Sequence, residues 1–189
     1  MGSTRFPGKV LEKINQKSNL STSSFPPSLQ GLKNVFVASK EDESNGLRSD
    51  YIMRIGKLCL KEKVHVMPSD YFYKLNQINV GDSFVLNLDD SSQRGSHWVG
   101  LFISHTPKKA IFMDQLGMPL VNTYIRNGLM KHDLTDITYS KKSIQIGTSF
   151  HCGFFVIAFL VIMSKGKSLS QFISMFSEDD LRGNEQIAT

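Results

Sequence analysis

Four polar side chains stand along the chain in the order His97, Asp114, Gln145 and Cys152. Together they form the parts list of a cysteine hydrolase. A thiol is a useful nucleophile only as thiolate, and a helix N-terminus beside an imidazolium is where that form is favoured. Cys152 opens the apolar run Gly153 to Met163, with Ser149 as a possible N-cap just before it. His97 stands where a polar, glycine-bearing loop enters an apolar strand, which puts its ring at a sheet rim. Asp114 closes the strand Ala110 to Asp114. It reads either as a turn aspartate before Gly117 or as a carboxylate accepting from the imidazole Nδ1–H and fixing its tautomer. Gln145, seven residues before Cys152, is either an exposed strand residue or an amide that joins the Cys152 backbone N–H as an oxyanion hole. Two further residues are candidates for binding substrate. Trp98, the single tryptophan, is either core or a wall beside His97, and Gly153 lets another chain approach closely.

Neighbouring candidates fit less well. Free cysteines are usually packing residues, and Cys59 falls mid-helix, where it reads as core. His151 adjoins Cys152, but successive side chains on a helix point about 100° apart. His65 and His105 lie in or at the end of strands without matching partners, and His132 falls in a polar turn. The Cys and His spacings match no zinc pattern, and no glycine-rich loop opens a helix after a strand. Neither a metal nor an organic cofactor is expected.

The elements that must position these residues follow from periodicity. A helix is expected from Ser49 or Asp50, with Tyr51, Ile52, Ile55, Leu58 and Cys59 on one face. Strands are expected at Val35–Val37, Val64–Pro68, Ser83–Leu88, Trp98–Ser104, Ala110–Asp114 and Thr138–Gln145. Helices follow Ser69 and Pro119, and the Cys152 helix ends near Gly166 before a short amphipathic piece. This order implies an α+β domain on a central sheet, its consecutive middle strands pairing antiparallel. The expected organisation is an extended arm over residues 1–30, a domain over 31–176 and a loose polar tail over 177–189.

Composition bounds the function. With 189 residues, 40% hydrophobic and 13 Phe, the chain holds one real core. Two cysteines make no disulfide framework, which suits a reducing compartment. The first 30 residues lack the apolar core of a signal peptide, and the longest apolar run is too short to span a bilayer. No membrane partner is expected, and a monomer is. A net charge of +5 leans towards anionic partners, read either as nucleic-acid binding through a basic surface or as ordinary solvated charge.

Three segments taken together resemble the adenain/Ulp1 group of cysteine proteases: Ser96-His97-Trp98-Val99-Gly100-Leu101-Phe102, Ile111-Phe112-Met113-Asp114-Gln115-Leu116-Gly117, and Gln145 with Cys152-Gly153-Phe154-Phe155. The matching features are the order His, acid, Gln, Cys, the His-Trp dipeptide and the Gln-to-Cys-Gly spacing. Residues 47–52 and 64–75 are similar to the first helical segment of Ulp1-like members, so the resemblance covers about 47–165. Phe84 to Asp90 is most similar to the maturation proteases of virophages and Maverick/Polinton elements. The resemblance implies a papain-like fold, a Cys152-His97-Asp114 triad with Gln145 at the oxyanion, and cleavage of capsid proteins at small, Gly-rich sites. Its locations would be the virion and the host cytoplasm or viral factory. Stimulation by DNA or a peptide is a property of the adenoviral members. Asp114 stands where those carry Glu, and the cysteine that tethers their peptide has no equivalent here. An isopeptidase acting on ubiquitin-like modifiers uses the same catalytic set, and an inactive binding module would keep the same fold.

Overall fold

The computed structural model describes residues 46–188, and side chains through Asn184. The expected arm and the expected strand at Val35–Val37 lie outside the described residues. Helix α1 (Ser49–Leu60) and a 3-10 turn (Lys61–Lys63) lead to β1 (Val64–Pro68), α2 (Ser69–Lys74), β2 (Ser83–Asn87), β3 (Trp98–Ile103) and β4 (Lys109–Met113). Then come α3 (Thr123–Lys131), β5 (Asp136–Tyr139), α4 (Cys152–Ser164), α5 (Leu169–Ile173) and α6 (Leu181–Ala188). The five strands form one sheet in sequence order. Strands β2, β3 and β4 pair antiparallel, while β1 runs parallel to β2 and β5 parallel to β4. Each parallel pair needs a crossover, and α2 and α3 supply them.

The sheet is covered on both sides, so its central strands read as continuous apolar runs. Alternate residues Phe84, Leu86, Val99, Leu101, Ala110 and Phe112 join Phe72 of α2 and Ile125 and Leu129 of α3 in one core. Their neighbours Val85, Phe102 and Met113 join α1, α4 and α5 in the other. Helix α4 carries no polar face. Eleven of its residues are buried, as befits a helix enclosed between a sheet and other helices. Gly100 of β3 lets it sit close, since a Cβ there would come 2.7 Å from the Phe159 ring. No helix among the described residues is long and apolar enough to cross a membrane.

The expected α+β architecture is present, with four local corrections. The first concerns Thr138–Gln145. Strand β5 ends at Tyr139 because β4 stops at Met113, leaving later residues no ladder to join. Gln145 therefore sits on an irregular segment. Helix α3 begins at Thr123 rather than beside Pro119, because Asn122 Oδ1 accepts from the Ile125 N–H as an N-cap. Ser49 and Asp50 lie within the first turn of α1, where Arg48 is the N-cap without a side-chain bond. The fourth correction is the tail. It folds into α6, anchored by Asn184, which is 1% exposed and bonds to both Ile144 and Ser177.

Candidate active site

Three elements converge on one point. His97 immediately precedes β3, Asp114 immediately follows β4, and Cys152 is the first residue of α4. Strands β3 and β4 are paired neighbours with Gly100 opposite Met113, which brings the imidazole and the carboxylate together at one end of the sheet. The loop before His97 is fastened by side chains. Ser69 Oγ donates to the carbonyls of Leu88 and Asp89, and Asp70 accepts from the Ser91 N–H and hydroxyl. Asn87 Oδ1 accepts from the N–H groups of Asp89 and Ser96. This polar frame takes the place of a tight hairpin turn, and its groups are satisfied internally.

His97 Nε2 lies 2.9 Å from Asp114 Oδ1, and Asp114 is 3% exposed. The same oxygen accepts from the Leu116 N–H at 2.9 Å, which holds the carboxylate in place. Cys152 lines the same cleft, and its side chain interacts with the imidazole strongly enough to help hold the ring's proton. With Nε2 given to the carboxylate, Nδ1 is the nitrogen left for sulfur. This reverses the expected ring orientation, in which Asp114 accepted from Nδ1–H. Burial alone would lower the His97 pKa, but hydrogen bonds to Asp114 and Cys152 and their negative charge outweigh it. The balance holds the imidazole up to about 9, cationic at neutral pH.

Gln145 is 2% exposed and lines the same cleft as Cys152 and His97. Its Nε2 donates to Ser149 O at 2.9 Å, which leaves one amide hydrogen uncommitted to that bond. Trp98 lines the cleft as well, and its indole N–H donates to Leu47 O at 2.9 Å, joining the wall to the start of α1. Gly153 is elsewhere. A Cβ there would meet Leu47 and Ile52 at 3.1 Å, so the chain that approaches closely is the α1 region and not a substrate. Ser149 does not cap α4. Its Oγ accepts from the His151 N–H in a local turn, and His151 occupies the N-cap position without a side-chain cap bond. The cleft measures ≈ 1060 Å³ and runs between the α1 start, the Asp89–Ser96 loop and the segment from Gly147 to Phe150.

Of the other histidines, His65 stacks on Phe84 and lies 3.7 Å from Asp82, while His132 bonds to Leu75 O. Neither lines the cleft. Cys59 packs against the core, and burial pushes its thiol up to about 11 against a small opposing effect of Lys165.

One residue beside the site carries little sequence signal of its role. Gln115 is fully buried, its Nε2 donates to Trp98 O at 2.8 Å, and its carbonyl accepts from the Ile144 and Gln145 N–H groups. It thus ties the acid-bearing turn to the segment that carries Gln145. The available signal was an amide directly after Asp114 at a strand end, which is weak alone.

No family model matches the sequence, and no curated protein does. Among solved structures, the chain is similar to the ASFV pS273R protease, with 16% identity, TM-score 0.48, and coverage of 92% of this chain and 76% of that one. It is also similar to the SUMO protease Ulp1 with its catalytic cysteine oxidised to a sulfinic acid, at 12% identity, TM-score 0.45, and 97% and 96% coverage. A third similar structure is the C-terminal Ulp1 protease domain in complex with Smt3, the yeast ortholog of SUMO, at 14% identity, TM-score 0.43, and 92% and 95% coverage.

Proposed function

We propose that this chain is a cysteine endopeptidase that matures viral capsid proteins by cutting at small, Gly-rich segments. The observation that carries the peptidase reading is a single imidazole bonded to a buried carboxylate in the same cleft as, and interacting with, the cysteine that opens α4. Cys152 attacks the scissile carbonyl as thiolate, forming the C–S bond. His97, cationic at neutral pH, gives its proton to the departing amine as the C–N bond breaks. Water then attacks the thioester with neutral His97 taking its proton; the C–S bond breaks, the acid leaves, and the thiolate and imidazolium are restored. Asp114 holds the ring and its charge, while the Cys152 N–H and Gln145 Nε2 stabilise the oxyanion. No step calls for a metal or organic cofactor.

The capsid substrate, and action in the virion and the host cytoplasm or viral factory, rest on the sequence resemblance and on two free cysteines suited to a reducing compartment. The purified chain is incubated with candidate capsid protein, with and without DNA. The expected result is discrete Gly-adjacent cleavage that Cys152→Ala and His97→Ala abolish. Salt-sensitive stimulation by DNA would give the basic surface a role. Undiminished processing by both variants would refute the peptidase reading. Preferential release of a SUMO-type reporter over capsid protein would replace the capsid substrate with an isopeptidase one.

A further inference from the structure

Gln145 has no strand or helix to hold it, yet an oxyanion donor must be held to within a fraction of an ångström. The structure supplies a clamp from 40 residues away. Asn184 on α6 donates from Nδ2 to Ile144 O at 3.1 Å and to Ser177 O at 2.6 Å, while its Oδ1 accepts from the Ser177 N–H at 2.9 Å. Both donors and the acceptor of this buried amide are thus spent on two separate irregular segments, one before α4 and one after α5. On its other side, Ile144 donates its N–H to Gln115 O at 2.8 Å, and the Gln145 N–H goes to the same carbonyl at 3.2 Å. Ser143 Oγ donates to Gln145 O at 3.1 Å. Ile144 is thus pinned through both its backbone groups, one to the acid-bearing turn and one to the C-terminal helix.

We propose that Asn184 is a positioning residue for hydrolysis, and that α6 acts through Ile144 to hold Gln145 at the oxyanion. This rests on the reading of Gln145 as an oxyanion donor. A backbone carbonyl that loses its buried partner frees the segment to open locally, and small misplacement of a reacting-site group is costly in rate. The Lys142–Glu178 ion pair joins the same two segments at the surface, where solvent screening makes it the weaker tie.

Asn184→Asp keeps the size and one acceptor but replaces the donor that reaches Ile144 O. Turnover is read with a fluorogenic Gly-Gly peptide amide. The expected result is kcat lower by about tenfold with KM unchanged, and no further loss when Asn184→Asp is added to Gln145→Ala. A merely structural role would instead lower both backgrounds equally, which overturns the inference. If Gln145→Ala itself leaves kcat intact, the oxyanion reading fails first, and Asn184 falls with it for a distinguishable reason. Amide hydrogen exchange provides a readout that needs no turnover. Asn184→Asp should speed exchange at Ile144 and Gln145 by about tenfold while the β3 amide of Leu101 is unchanged. Uniform acceleration, or none, contradicts the clamp. Should Asn184→Asp not fold, Ser177→Ala removes only the hydroxyl that accepts from the Asp179 and Asp180 N–H groups ahead of α6. It should reproduce both patterns at smaller size, and its failure to do so has the same meaning.

Discussion

The two halves of the candidate site are held by different means. His97, Asp114 and Cys152 stand at the ends of regular elements, positioned by the β3–β4 ladder and by close packing of α4 on Gly100. Gln145 stands on an irregular segment, positioned by its own bonds to Gln115 and Ser143 and by the bond from Asn184 to the adjacent Ile144 carbonyl. The first half inherits its precision from backbone hydrogen bonding and apolar packing, which are cooperative and tolerate surface change. The second depends on a few buried polar contacts, each of which is costly to lose. The placement of Cys152 and His97 is therefore expected to survive perturbations that scatter Gln145.

Breaking the first half should give the largest effects. Cys152→Ala removes the proposed nucleophile, with an expected loss of about 10⁴-fold or more in kcat, read with the peptide substrate. Asp114→Asn keeps the shape of the site but withdraws the charge that raises His97, so kcat falls by about 10³-fold. The alkaline limb of kcat/KM, set by the loss of the His97 proton near pH 9 in the unaltered chain, moves to lower pH. An alkaline limb that stays in place would remove Asp114 from the site. Gln145→Ala tests the second half and should cost about 10²-fold in kcat with little change in KM.

The linkage of His97 to stability is a gentler probe. Its pKa rises from 6.5 to about 9 on folding. The stability it contributes is therefore complete below pH 6.5 and lost as pH rises through 9. Urea unfolding at pH 6 and pH 10 should show this decline in the unaltered chain and a flatter profile in His97→Gln. Gly100→Ala sharpens the packing side of the comparison, because its Cβ would meet the Phe159 ring at 2.7 Å. Thermal unfolding should reveal a loss of about 1–3 kcal/mol.

The same division decides what could be read from the sequence. Periodicity located β1 to β4, α1 and α4, because each buries an apolar face whose spacing reflects its geometry. The order of residues brought His97, Asp114 and Cys152 to one point, since adjacent antiparallel strands and a helix start leave little freedom. The orientation of the imidazole is not legible, because the order of residues along a chain does not say which ring nitrogen meets which partner. Gln145 was assigned to a strand that Lys141 and Lys142 interrupt and β4 cannot pair. The roles of Gln115 and Asn184 were invisible for a related reason. A buried amide bonding across 40 residues has the same composition as one in solvent. Gly153 suggests space for a substrate in the sequence, whereas Leu47 and Ile52 occupy the space it leaves.

The pairing of His97 with Cys152 is tested most directly by covalent labelling at pH 7 with a peptide vinyl sulfone ending in Gly-Gly, followed by peptide mapping. The other cysteine, Cys59, is a built-in control, since burial holds its thiol near 11. The expected result is one adduct, on Cys152, whose rate of formation collapses in His97→Ala. Equal labelling of Cys59, or an unchanged rate on Cys152 without His97, would contradict the account.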